Sequence, residues 1–251
     1  MSAVGSRCAV TLASGMGLWN VADYLRLRTG GDDPVLEEFA RRHHLAGVDL
    51  LDIGCGPGRA AAALAERYGA VVTGVDASAE MLAAARELAP SITFIQGFAE
   101  DLPFADRSFD FVISNFVVHL LERPAAFVEV RRVLRPGGVY WIKTEDPDTL
   151  PDYWAAPLFP SLVALETARF PGEIRLREEL AVAGFRSLLV QRRRLEQVFS
   201  RDAAIEKLMS GAYSTMRLLP PEELAEGIRL APELLPDPVR YELVFLIVEA
   251  R

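Results

Sequence analysis

Three glycines at alternate positions, Gly54, Gly56 and Gly58, follow an apolar run that carries an acid, Leu50-Leu51-Asp52-Ile53, and hand the chain to Arg59 and an alanine-rich segment. Glycine lets backbone approach a ligand with no Cβ in the way, and the first turn of a helix offers N–H groups that have no partner within it. The pattern reads as strand, tight turn and helix start, built around something flat, polar and adenosine-like. A second acid, Asp76, ends the next apolar run, Ala70-Val71-Val72-Thr73-Gly74-Val75. At the tip of a second strand, it is placed to accept hydrogen bonds from both hydroxyls of a ribose. The spacing is G-x-G-x-G, whereas a pyrophosphate-binding turn has G-x-G-x-x-G, and Arg59 takes the sixth position. Asp52 would repel a pyrophosphate and attract an ammonium. The chemistry implied is that of a nucleoside joined to an amino acid.

The segment resembles motif I of the class I S-adenosylmethionine-dependent methyltransferases, and further blocks follow in the order of that family. Asp76 matches the ribose acid, and Ser78 to Met81 matches the next block, with Met81 against adenine. Phe104 to Ser114 resembles an L-P-F…F-D-x-V-x-S block, and Arg132 to Gly138 resembles R-V-L-x-P-G-G. The likeness is to the ubiquinone-biosynthesis-like, small-molecule group; it covers about residues 17–144 and is looser beyond. It implies S-adenosylmethionine as cofactor and S-adenosylhomocysteine as product. The cofactor-binding residues it implies are Asp52, Gly54, Cys55, Gly56, Gly58, Asp76, Ala77, Met81, Ala99, Glu100 and Asn115. Tyr24 and Arg28 match a Y-x-x-x-R segment that folds over the cofactor, the Arg pairing its carboxylate; the other reading is a helix with Tyr24 in the core. One block departs: Phe98 stands where the pattern has an Asp for the adenine amino group, which leaves the Ala99 N–H and the carboxylates of Glu100 or Asp101. His119 matches a His near the acceptor and is the candidate catalytic residue, although a lone His in an apolar stretch is more often packed and hydrogen-bonded.

A chain of 251 residues, 51% of them hydrophobic, can bury one sizeable core. Its net charge of −8 argues against a nucleic-acid footprint. Arg192-Arg193-Arg194 is the basic triplet, read as a solvated strand edge. The two cysteines, Cys8 and Cys55, are expected to be reduced thiols. The first twenty residues lack a secretory apolar stretch, and no run of apolar residues is long enough to span a bilayer. A cytoplasmic protein without membrane partners, monomer or homodimer, is expected. No metal-ligand spacing is seen, and no metal is predicted.

The elements that must position these residues alternate. Strands are predicted at Val48–Ile53, Ala70–Asp76, Ile92–Gln96, Phe109–Ser114 and Val139–Lys143, with helices at Val35–His44, from Pro57 to Tyr68, Ala79–Ala89 and from Pro124 to Arg135. Pro136-Gly137-Gly138 is read as the turn into the fifth strand. A helix at Leu176–Ala183, a strand at Ser187–Leu195 and a last strand at Tyr241–Glu249 complete an α/β fold. This is a doubly wound, seven-stranded, mostly parallel sheet. By the resemblance, the last strand enters antiparallel between the fifth and sixth. The chain, 1–251, reads as a single methyltransferase domain, with 17–46 as an N-terminal helical lid and 147–171 and 198–238 as cap insertions. Aromatic and Met residues in the caps, such as Trp154 and Tyr213, are most often core; the functional reading is that they line an apolar acceptor pocket. The function expected is methyl transfer to an apolar or amphipathic small molecule. The alternatives are a non-catalytic S-adenosylmethionine-binding protein and an NAD-dependent oxidoreductase, the second disfavoured by Asp52 and Arg59.

Overall fold

The computed structural model describes residues 33–210 and 214–251, so Tyr24, Arg28 and Tyr213 lie outside the described residues. Seven strands form one sheet: β1 (Asp49–Ile53), β2 (Val71–Asp76), β3 (Thr93–Gln96), β4 (Phe109–Asn115), β5 (Leu134–Glu145), β6 (Leu188–Phe199) and β7 (Val239–Ala250). Their order is β3-β2-β1-β4-β5-β7-β6. The first five run parallel, and β7 is inserted antiparallel between β5 and β6 as the resemblance implies.

Strand periodicity sorts the side chains into two cores. Leu51, Val112, Tyr140, Ile142 and Leu246 face helices α4 (Arg123–Val133) and α6 (Glu173–Val182). Leu50, Ile113, Trp141, Phe245 and Ile247 face α1 (Pro34–His43), α2 (Arg59–Tyr68) and α3 (Ala79–Leu88). Both faces are covered, which is why these strands read as unbroken apolar runs and not as alternations.

Local chemistry sets the helix ends. Asp33 caps α1, its Oδ1 accepting from the N–H groups of Val35 and Leu36 at 3.2 Å each. The Ser78 hydroxyl caps α3 by accepting from the Met81 N–H at 3.2 Å, and Gly69, at φ +71°, ends α2 as expected. Three expectations need correction. Helix α2 begins at Arg59, not Pro57, because Gly58 stands before it at φ +80°. Pairing starts before the Pro136-Gly137-Gly138 turn: Phe109 pairs with Leu134 and Phe111 with Val139, so Arg135–Gly138 is looped out within β5. Strand β6 runs four residues beyond Leu195, pairing Phe199 with Val239, so the second cap interval opens as strand.

The remaining elements are α5 (Leu162–Arg169), α7 (Arg201–Met209), α8 (Pro221–Leu234) and short 3₁₀ turns at Pro147–Asp152, Ala156–Leu158 and Ser214–Arg217. They share a third apolar cluster that includes Trp154, Phe159, Leu162, Leu208, Met216 and Leu235. Arg192, Arg193 and Arg194 sit on edge strand β6 and pair with Asp146 and Glu173, Glu38, and Glu242 respectively, so the basic triplet is a neutralised sheet edge. Among the described residues no helix is long and apolar enough to cross a membrane.

Candidate cofactor site

The glycine turn lies at the carboxyl ends of β1 and β2, where open α/β sheets bind ligands. Both Gly54 and Cys55 donate their N–H to the carbonyl of Val75, at 2.7 and 3.1 Å, which fastens the turn to β2. Gly54 adopts φ +66°, and a Cβ there would lie 2.3 Å from a Val117 methyl; a side chain would drive the turn off the segment that follows β4. Asp76 fixes the other side of the turn. Its Oδ2 accepts from the Gly56 N–H at 2.8 Å and its Oδ1 from the Ser78 N–H at 2.9 Å, so the carboxylate is held rigidly at the strand tip.

Asp52 is 1% exposed and its Oδ2 has no hydrogen-bond partner among the described residues. Burial, reinforced by the charge of Asp76, raises its carboxyl to about 8. A buried acid with an unsatisfied oxygen is complementary to a cationic donor, the property expected of a ligand carrying an ammonium. Cys55 is a different case. Burial first, then the charges of Asp52 and Asp76, push its thiol far up, which keeps it protonated and leaves it a packing residue of the turn.

The predicted residues fall into two groups. Asp52, Gly54, Cys55, Gly56 and Asn115 line one cavity of about 520 Å³. Met81 is buried at the start of α3, with Ala77 between it and the strand tip; Ala99 is buried beyond β3. Gly97 donates its N–H to the Asp76 carbonyl at 3.1 Å, so the loop Phe98–Asp101 stands beside Asp76. In that loop Phe98 is 66% exposed, and Glu100 accepts from the Glu122 N–H at 2.8 Å, which directs its carboxylate toward α4. His119 is in the 3₁₀ turn Val118–Leu120 and stacks on Phe170 with ring centroids 4.2 Å apart, joining scaffold to cap. Trp154, read as either core or pocket lining, is core: it is 6% exposed and packed edge-on to Phe199 at 5.4 Å.

Two members of the cavity escaped the sequence reading. Asp33 and Lys143 form an ion pair of 2.6 Å within it, although one precedes α1 and the other is near the end of β5. A signal was present in each case: an acid before Pro34 at a helix start, and a lysine continuing the apolar run Val139-Tyr140-Trp141-Ile142. Among the described residues no group of three or more His, Cys, Asp or Glu side chains could hold a metal.

With that geometry established, comparison with known proteins is specific. Residues 51–142 match the model of the family described as a methyltransferase domain. A demethylmenaquinone methyltransferase of Chlorobaculum tepidum is 49% identical over 94 residues, 37% of this chain and 39% of that protein. Phosphoethanolamine N-methyltransferase 2 of Haemonchus contortus, solved with S-adenosyl-L-methionine, superposes with a TM-score of 0.61 at 18% identity, covering 92% of this chain and 56% of that one. The cyclase SpnF superposes with a TM-score of 0.58 at 20% identity, over 86% of this chain and 80% of that one. The chain is similar to S-adenosylmethionine-dependent methyltransferases over residues 51–142 and has their fold. It spans about two fifths of the length of the curated relatives it matches first, and the structural likenesses, at these identities, are likenesses of fold.

Proposed function

We propose that the protein transfers a methyl group from S-adenosylmethionine to a small-molecule acceptor. The observation that carries this is the buried, unsatisfied Asp52 oxygen beside a glycine turn that Asp76 holds to the second strand. When bound, the cofactor supplies a methyl group activated by a sulfonium. The residues of this chain have the remaining tasks. Asp76 accepts from the ribose hydroxyls, Asp52 takes the ammonium of the amino-acid end, and the turn excludes water while fixing the direction of displacement. Met81 and Ala99 bracket the base, with Phe98 covering its rim.

The acceptor would enter from the cap, past the His119–Phe170 stack. Its apolar partners favour an apolar or amphipathic molecule. His119 is the residue proposed to touch the acceptor. Fold alone does not select the reaction, since the cyclase SpnF has a similar scaffold. The second reading is therefore a protein that binds the cofactor without transferring its methyl. Incubation with S-adenosylmethionine and panels of phenols, amines and carboxylic acids, with S-adenosylhomocysteine measured, separates the two. Acceptor-dependent product supports transfer; cofactor binding with no turnover on any panel favours the second reading.

A further inference from the structure

Sheet register brings three polar side chains onto one face at the carboxyl edge. Asp52 pairs across β1 and β4 with Ile113, and Asn115, two residues further along β4, pairs across β4 and β5 with Lys143. Strand side chains alternate, so Asp52, Asn115 and Lys143 follow Leu50, Ile113 and Trp141 onto the face covered by α1 and α2. All three line the same cavity, and Asp33 closes it from the start of α1.

The Lys143 side chain is 8% exposed. Its ammonium lies 2.6 Å from Asp33 Oδ2 and over the rings of Phe116 and Phe245, at 5.3 and 4.7 Å from their centroids. The Asn115 amide donates to the same Asp33 oxygen at 3.2 Å, and this orients its own carbonyl oxygen, which is buried and has no hydrogen-bond partner among the described residues. Asp52 Oδ2 is the second such acceptor. The cavity thus presents a fixed cation on β5 and two unsatisfied acceptors on β4 and β1. An α-amino acid, with its carboxylate and ammonium on one carbon, has the complementary arrangement. Of the other basic groups that line the cavity, Arg67 pairs with Glu37, Arg193 with Glu38 and Arg194 with Glu242, and Arg59 stands at the start of α2, so it is tested alongside Lys143.

We infer that Lys143 is a specificity-determining residue that reads the carboxylate of the ligand's amino-acid end, with Asp33 and Asn115 as its positioning residues and the Asn115 and Asp52 oxygens receiving the ammonium. The inference rests on the cavity being the S-adenosylmethionine site. It adds a contact on the fifth strand to the carboxylate contact that the family resemblance gives to Arg28.

Calorimetry with two probes tests this. S-adenosylhomocysteine carries the amino-acid end, and 5′-methylthioadenosine lacks it. Lys143→Met should weaken the first about 10- to 100-fold, the scale of a lost hydrogen bond to a charged group, and leave the second within about twofold. Lys143→Arg should retain most of the selectivity. Equal losses for both probes, or no loss for S-adenosylhomocysteine, would overturn the assignment; so would a comparable selective loss in Arg59→Met with Lys143→Met unaffected. If Lys143→Met does not fold, wild-type protein decides with decarboxylated S-adenosylhomocysteine: weaker binding of that probe together with retained selectivity in Lys143→Arg supports the assignment, and equal binding overturns it. Wild-type protein that binds neither nucleoside rejects the cofactor reading itself, a result distinct from a loss of selectivity.

Discussion

The turn end of the sheet and the cap solve different problems with different materials. The turn uses main chain: glycine conformations, N–H groups tied to Val75 and Asp76, and a few buried charges. The cap uses volume. Phe159, fully buried, packs so closely on α8 that a Cβ on Gly227 would lie 2.1 Å from its ring. A site made from main chain tolerates few residue types at each position and leaves a spacing signature. A packed cluster tolerates many combinations of equal volume and leaves only composition. Under the proposed function, cofactor chemistry can therefore stay fixed while the acceptor side varies.

The largest expected effect tests whether the two regions are separable. Phe159→Ala should cost about 3–5 kcal/mol of stability in denaturant unfolding, by cavity formation. S-adenosylhomocysteine affinity of the folded fraction should stay unchanged. A parallel fall in affinity would mean that the cap helps build the cofactor site.

Asp76→Ala addresses the turn. Loss of the ribose contact should weaken S-adenosylhomocysteine binding by about 1.5–3 kcal/mol, read by calorimetry, with acceptor KM unaffected. An unchanged dissociation constant would remove Asp76 from the ribose.

Asp52 sharpens the comparison through pH. Its carboxyl is raised from 3.8 to about 8 in the fold, so the folded state holds a proton that the unfolded state releases. The stability this confers is complete below about pH 3.8 and is lost as pH rises through about 8. Asp52→Asn should accordingly melt higher than wild type at pH 8, with little difference at pH 4, while binding S-adenosylhomocysteine more weakly. A melting difference that does not change with pH would contradict the assignment of a buried, proton-holding acid.

The smallest effect is expected at the rim. Phe98→Ala should leave the melting temperature unchanged and cost about 0.5–1.5 kcal/mol of S-adenosylhomocysteine affinity if its exposed ring covers adenine. Full affinity in the variant would leave that end of the site to Met81 and Ala99.

Legibility in the sequence follows the same division. Strands buried on both faces announced themselves as apolar runs, and Ser78 and Gly69 marked helix ends through chemistry that acts within a few residues. The loop within β5 was misread because its turn residues, Pro136-Gly137-Gly138, look the same whether a strand starts after them or is interrupted by them; pairing with Phe109 decides. Asp33 and Lys143 could not be joined on paper, being 110 residues apart and meeting only through sheet register. The role of Trp154 stayed open in the sequence because an aromatic residue in a cap looks alike whether it lines a pocket or fills a core.

The central claim is that the glycine turn with Asp52 and Asp76 holds a nucleoside joined to an amino acid and not a dinucleotide. Calorimetric titration of the wild-type chain with S-adenosylhomocysteine and, separately, with NADH tests it most directly. The account predicts saturable binding of one S-adenosylhomocysteine per chain, with proton release near neutral pH as the ligand ammonium ionises Asp52, and no heat of binding from NADH. Saturable NADH binding with none for S-adenosylhomocysteine would contradict it.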